Sequence, residues 1–254
     1  MFDLKYLKEK LNRRWSSFEK KKKTFGLVKN TVYKKFIILC YARTGSNLLV
    51  SYLNSHPNIK VDGEIFSKLG EISFEKILDS EFRKYPKRIK AVGFKIFYDQ
   101  PADYLNCGIW EHLGKMDELY VIHLKRQNKL RTMLSLKIAM KNDIWHGSTI
   151  GLKDKQVSFS FDELNNQFKQ LENWEIEGER RFKEHPLLTI YYEDLDTNPE
   201  DIVKKILEFL ELPYRKPKTK YSRQNPEKAN KLIDNFEELK IGFLGTKWES
   251  FFRE

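Results

Sequence analysis

The chain has 254 residues, enough for one large α/β domain with a substantial core. Hydrophobic residues make up 40% and aromatic residues 14%, which excludes a disordered chain. The net charge of +11 suits an anionic ligand, a nucleic acid or an acidic membrane surface, without choosing among them. Cys40 and Cys107 sit in unrelated contexts, and neither a metal-ligand spacing nor a disulfide framework is present. A reducing, intracellular compartment is therefore expected. No apolar run approaches the length of a bilayer span, and no apolar stretch precedes a cleavage site near the start, so a cytoplasmic protein is expected, at most peripheral to a membrane.

In chain order, Leu4, Leu7, Leu11, Trp15 and Phe18 recur at helical spacing, with Lys5, Lys8, Lys10, Arg13 and Arg14 between them and a basic run from Lys20 to Lys23. Residues 1–34 thus read as a basic amphipathic extension, and residues 35–254 as the main domain. The expectation is a helix docked through its apolar stripe; the alternative is contact of residues 1–23 with a membrane surface or a partner. The main body starts near Val32. Phe36–Cys40 is a continuous apolar run, as in a central parallel strand. A helix over Asn47–Asn54 ends at Ser55-His56-Pro57, and a short segment Val61–Phe66 follows. Ala91–Phe97, Leu119–Leu124 and Leu187–Tyr192 read as the second, third and fourth strands. Helical patterns cover Phe74–Tyr85, Leu130–Lys141, Phe161–Glu184 and Pro199–Leu210. Alternating strands and helices imply an α/β domain, a parallel sheet with helices on both faces.

The most informative stretch joins the first strand to the helix after it, Tyr41-Ala42-Arg43-Thr44-Gly45-Ser46-Asn47. A strand entering a helix through such a turn aims backbone N–H groups and the positive helix end at one point, where a phosphate or sulfate would sit. It is not a Walker A loop, which needs two glycines and a Lys-Ser/Thr pair. After the third strand come Lys125-Arg126-Gln127-Asn128 and a helix in which Ser135 lies between Leu134 and Leu136. Ligands of open α/β sheets bind at the carboxyl ends of strands, so Arg126 and Ser135 are candidates for one further phosphate. Lys95 interrupts the run Val92-Gly93-Phe94-Lys95-Ile96-Phe97, and a buried lysine needs a partner or a strand tip. Glu64, between Gly63 and Ile65, is a candidate general base. His123, inside an apolar strand, reads as a core residue; His146 is the better candidate for an acceptor pocket. Tyr41, Phe97, Tyr98 and Trp145 offer faces for a sugar but also suit a core.

Arg43-Thr44-Gly45-Ser46 resembles the 5′-phosphosulfate loop of sulfotransferases that use 3′-phosphoadenylyl sulfate (PAPS), and His123-Leu124-Lys125-Arg126-Gln127-Asn128 through Ser135 resembles their 3′-phosphate motif. The pattern is most similar to bacterial carbohydrate sulfotransferases of the trehalose 2-sulfotransferase and nodulation-factor type. Gly63-Glu64-Ile65-Phe66, Gly93-Phe94-Lys95, Ile144-Trp145-His146, Tyr192-Glu193-Asp194-Leu195, Gln224-Asn225-Pro226 and Asn235-Phe236-Glu237-Glu238-Leu239 fit the same group, in order. The resemblance implies a P-loop-like three-layer α/β/α fold with a central parallel sheet. It implies transfer of a sulfuryl group from PAPS to a carbohydrate or glycolipid-like hydroxyl, with PAP as product and no metal. Arg43, Thr44, Gly45, Ser46 and Asn47 would hold the 5′-phosphate, and Arg126 and Ser135 the 3′-phosphate, with Arg223 contributing to the nucleotide. Glu64 would act as base and Lys95 would steady charge; Trp145 and His146 would meet a small-molecule or glycan acceptor. Leu48 stands where many cytosolic members carry tryptophan, so another aromatic residue must stack on adenine. No nucleic-acid partner is implied, and nothing in the pattern sets an oligomeric state. Two rival readings are a P-loop-like kinase, disfavoured by the missing Walker lysine, and a basic nucleic-acid-binding module, for which no recognised motif appears.

Overall fold

The computed structural model describes residues 29–30, 32–104, 106–145, 155–219 and 227–253. The amphipathic pattern of residues 1–28 lies outside them, as do His146 and Arg223. Strands are β1 (Lys29–Asn30), β2 (Lys34–Cys40), β3 (Ile59–Glu64), β4 (Tyr85–Pro86), β5 (Ala91–Phe97), β6 (Leu119–Lys125) and β7 (Leu187–Tyr191). Helices are α1 (Ser46–Asn54), α2 (Phe74–Glu81), α3 (Ile109–Gly114), α4 (Lys129–Asn142), α5 (Phe161–Arg181), α6 (Tyr192–Thr197), α7 (Pro199–Phe209) and α8 (Phe236–Gly242).

The central sheet has five strands in the order β3-β5-β2-β6-β7, and every pairing in it is parallel. β2 lies at the centre because residues 36–40 are apolar on both faces, and all five are fully buried. Phe36, Ile38 and Cys40 pack with Leu49, Leu53, Val203 and Ile206 from α1 and α7. Ile37 and Leu39 face the other way, onto Leu78, Leu113 and Phe182. A further cluster joins α4 and α5 to the C-terminal segment through Leu130, Leu134, Phe168, Phe243, Trp248 and Phe252. Gly93 is required by the β2–β5 contact, since a Cβ there would lie 2.3 Å from the Phe36 carbonyl oxygen. Among the described residues no helix is long and apolar enough to cross a membrane.

The sheet gains β3 as an edge strand beyond the four strands the sequence pattern marks. β3 carries a bulge: Asp62 pairs opposite Phe94 but Glu64 opposite Lys95, leaving Gly63 as the extra residue. Bulges re-aim side chains, and this one sets Glu64 beside Lys95. The helix expected over Phe74–Tyr85 stops at Glu81, and Tyr85–Pro86 pairs antiparallel with Lys29–Asn30. The helix expected to reach Glu184 stops at Arg181, and the fourth expected strand yields its last residue, Tyr192, to α6. The short helices α3, α6 and α8 lack the length for a legible period.

Candidate active site

The turn between β2 and α1 adopts an unusual backbone. Arg43 (φ +65°) and Gly45 (φ +85°) are both left-handed, separated by Thr44. Alternation of this kind folds successive N–H groups into a concavity suited to an anion, and a left-handed non-glycine residue is a local strain found at functional sites. Gly45 precedes α1, and the cap makes no side-chain hydrogen bond. Position 45 requires glycine twice over: a Cβ would also fall 2.4 Å from Cδ2 of Tyr192. Thr44 and Ser46 are buried, and the Thr44 hydroxyl donates to the Tyr41 carbonyl at 2.8 Å. That hydroxyl therefore ties the turn to itself, leaving its backbone N–H as its means of meeting a ligand.

The turn and the start of α4 are joined by several contacts. Arg43 Nε donates to Ser135 Oγ at 3.0 Å, and Arg43 Nη1 to the Trp145 carbonyl at 3.0 Å. Burial holds the Arg43 guanidinium below its ordinary pKa. Arg126, buried at the end of β6, donates from Nη1 to the Arg43 carbonyl at 3.1 Å and to the Arg131 carbonyl at 3.3 Å. Its guanidinium lies 4.5 Å from the Tyr192 ring centroid. Tyr192 thus touches both the glycine of the turn and the arginine of β6. The next residue, Glu193, accepts the backbone N–H groups of Gln127 (3.0 Å) and Asn128 (3.4 Å), where a carboxylate favours a helix start. Asn128 caps α4 by accepting the Arg131 N–H at 3.1 Å and donates to the Phe251 carbonyl at 3.0 Å. The sequence marked Tyr192 and Glu193 as a motif but gave no hint that they brace the Arg43–Asn47 turn and the Arg126–Asn128 segment.

The other flank of the turn carries the acid. Asn47 Oδ1 accepts from Lys95 Nζ at 2.5 Å, and Lys95 Nζ lies 2.9 Å from Glu64 Oε1. Lys95 is 3% exposed, so it is a buried, partnered lysine rather than one reaching solvent from a strand tip. Glu64 keeps 26% of its side chain exposed, and its Oε2 accepts from Gln100 Nε2 at 3.1 Å. Asp99 lies nearby: burial, and then the Glu64 charge, raise its carboxyl pKa. The Tyr41 phenol is pushed up to about 12, first by burial and then by Asp99. Sequence reasoning passed over Asp99 and Gln100; their position just after β5 at the carboxyl edge was the available signal.

Trp145 meets Arg43 through its carbonyl, while its indole Nε1 donates to Asp143 at 3.0 Å. His123 is a core residue, as its strand pattern indicated. It is fully buried, lies 2.6 Å from the Tyr98 hydroxyl through Nε2, and is pulled down to about 3 by burial and then by the Lys125 charge.

Residues 92–238 match the Stf0 sulphotransferase family, a span that runs from β5 into α8. The chain belongs to this family. It is also 30% identical over 232 residues to nodulation protein H of Rhizobium tropici, covering 85% of this chain and 92% of that one. Identity to nodulation protein H of Rhizobium meliloti (strain 1021) is 25% over 238 residues, with 85% and 94% covered. Among solved structures, a sulfotransferase from Alicyclobacillus acidocaldarius matches with a TM-score of 0.51 at 18% identity, over 82% of this chain and 90% of that chain. The last similarity speaks to the fold, and the five-stranded parallel sheet agrees with it. The protein is thus a sulfotransferase, and the kinase and nucleic-acid-binding readings fall away. The family match begins after Glu64 and the Arg43–Asn47 turn, so the geometry of those two parts is what brings them to the site.

Proposed function

We propose that this sulfotransferase moves a sulfuryl group from PAPS to a hydroxyl of a carbohydrate or glycolipid-like acceptor, with Glu64 as general base and PAP as the other product. The observation that carries the reading is the position of Lys95, in contact with Asn47 of the anion-binding turn and with Glu64 of the bulged edge strand. One buried cation thereby links an anion cradle to a carboxylate able to accept a proton.

The residues fit a nucleotide with two phosphate groups. The left-handed turn at Arg43 and Gly45 supplies backbone donors for the 5′-phosphosulfate, with Thr44, Ser46 and Asn47 completing it. Arg126 and Ser135 would hold the 3′-phosphate. The Arg43 side chain points toward Ser135, so it serves the junction between the two phosphates rather than the 5′ side alone. When bound, PAPS supplies a sulfuryl group on a good phosphate leaving group. The protein's share of the work is to fix the two reactants in line and to steady spread negative charge. Glu64 takes the proton of the acceptor hydroxyl as that oxygen bonds to sulfur, and the sulfur–oxygen bond to phosphate breaks. Lys95 faces the same point and steadies charge on the transferring oxygens. Trp145, His146 and Arg223 complete the proposed set, the first two toward the acceptor and the last toward the nucleotide. Support for a glycan acceptor comes from the ordered resemblance to carbohydrate sulfotransferases.

The test is transfer of ³⁵S from labelled PAPS to a panel of oligosaccharides, glycolipids and simple alcohols, with Glu64→Gln alongside. The expected result is a labelled glycan product for the parent chain. For the variant, turnover should drop by about 10²–10⁴-fold, as for loss of a general base, while PAP still binds. Label transfer at the parental rate by Glu64→Gln would remove Glu64 as base. Transfer confined to acceptors other than glycans would remove the carbohydrate.

A further inference from the structure

Gln100 is 4% exposed and lies three residues beyond β5, in a segment no motif singled out. Both ends of its amide are engaged. Oε1 accepts the Phe97 backbone N–H at 3.1 Å, and Nε2 donates to Glu64 Oε2 at 3.1 Å. Its own carbonyl accepts from Trp110 Nε1 of α3 at 2.8 Å. The orientation of the amide follows from chemistry. A backbone N–H can only donate, so the atom facing Phe97 must be the oxygen, and the nitrogen must then face Glu64. Lys95 holds the other carboxylate oxygen at 2.9 Å.

We propose that Gln100 is a positioning residue for the catalytic base: it fixes the Glu64 carboxylate in one orientation. This rests on the reading of Glu64 as the base. Nε2 can donate but not accept, so it holds Glu64 by giving a hydrogen to Oε2. Each carboxylate oxygen accepts at about two sites, so one bond from Lys95 and one from Gln100 leave sites for the acceptor proton. A neutral donor suits this task, because it orients the carboxylate without adding a second cation that would suppress its basicity. The titratable groups facing Glu64 are Lys95 on β5, Asp99 after β5 and Cys40 on β2. Of these, Asp99 and Cys40 are held toward their neutral forms chiefly by burial, which leaves Lys95 and Gln100 as the groups that stabilise the anion.

The experiment uses the full chain and three variants, Gln100→Glu, Gln100→Leu and Glu64→Gln. Gln100→Glu keeps an acceptor for the Phe97 N–H but sets an oxygen where Nε2 donated. Gln100→Leu removes both bonds, and its melting temperature reports the structural part of the loss. With the Nε2 donor gone the carboxylate is free to turn, so kcat should fall further for Gln100→Glu, which also sets a second carboxylate beside it, than for Gln100→Leu. kcat should drop by about 10-fold or more, with acceptor KM and PAP affinity within about 2-fold. That combination supports the assignment. If Glu64→Gln is inactive while Gln100→Glu keeps the parental kcat, Gln100 does not position the base, and the reading of Glu64 stands. If the Gln100 variants lose activity together with PAP binding and melting temperature, the role is purely structural and the proposal is overturned. If Glu64→Gln retains turnover, the base reading fails first and the positioning role fails with it.

Discussion

The two flanks of β2 solve opposite electrostatic problems. On the β5 side, a buried cation meets a carboxylate: Lys95 lies 2.9 Å from Glu64. On the β6 side, guanidiniums meet neutral oxygens: half-buried Arg43 bonds a serine hydroxyl and a carbonyl, and buried Arg126 bonds two carbonyls and stacks on Tyr192. A contact with a carboxylate cancels charge, whereas these contacts orient a guanidinium without cancelling it. The difference is what a group-transfer site needs. On the proposed reading, these contacts orient the guanidiniums toward an anionic donor on one flank and set a proton acceptor on the other, with the Arg43–Asn47 turn between them.

The largest effect is expected where the flanks meet. Gly45→Ala places a Cβ at φ +85° and 2.4 Å from Tyr192. Left-handed strain and overpacking together should lower stability by about 3 kcal/mol, read by urea denaturation. A Tyr192→Ala background separates the two costs, because it relieves the clash and leaves the strain. If Gly45→Ala is as stable as the parent, the turn does not hold the geometry described. Next is Arg126→Ala. It removes a charge and also the ties to the Arg43 carbonyl and the Tyr192 ring, so PAP affinity should fall by about 100-fold by calorimetry, with acceptor KM far less affected. Arg126→Lys should not restore it, since an ammonium cannot reproduce the planar stack and fork. Unchanged PAP affinity would dissolve the contrast between the flanks. Smaller still is Ser135→Ala, which removes the hydroxyl under Arg43 Nε and should weaken PAP by about 10-fold or less, as for one hydrogen bond.

The sequence was most legible where one physical cause dominates. Residues 36–40 are apolar without interruption, and they form the central strand. Ala91–Phe97 was readable to the residue, because Lys95 is the sole break in the run and Gly93 is demanded by a neighbour's backbone. The juxtaposition of Arg43 with Ser135 had no local signature. It depends on β6 lying next to β2, a matter of strand order that no periodicity encodes. The bulge at Gly63 was hidden for a similar reason: Val61–Phe66 is too short and too mixed to declare its pairing, yet the bulge is what sets Glu64 opposite Lys95. Gln100 was missed because a glutamine after a strand looks like loop, and only its two partners reveal its use.

The smallest effect separates acid loss of stability from acid loss of activity. On the β6 flank, His123 is fully buried and neutral, with its pKa lowered to about 3 by burial and by Lys125. Glu179 stands 3.8 Å from Nδ1 but is itself held by Lys125 at 2.5 Å, which limits its help to a protonated ring. Well above pH 6.5 the ring is neutral in both folded and unfolded chains, and His123 adds no pH dependence. Between 6.5 and about 3 the unfolded chain binds a proton that the folded chain refuses, so stability falls as pH falls. From pH 6.5 to 5.5 this should amount to about 1 kcal/mol. His123→Gln keeps a partner for the Tyr98 hydroxyl and removes the titration, so its stability should change less than the parent's over that interval. Equal slopes would mean that His123 is not the group refusing the proton. With the predicted slopes, turnover of His123→Gln relative to the parent should stay the same across that interval, because His123 takes no part in the transfer proposed for Glu64.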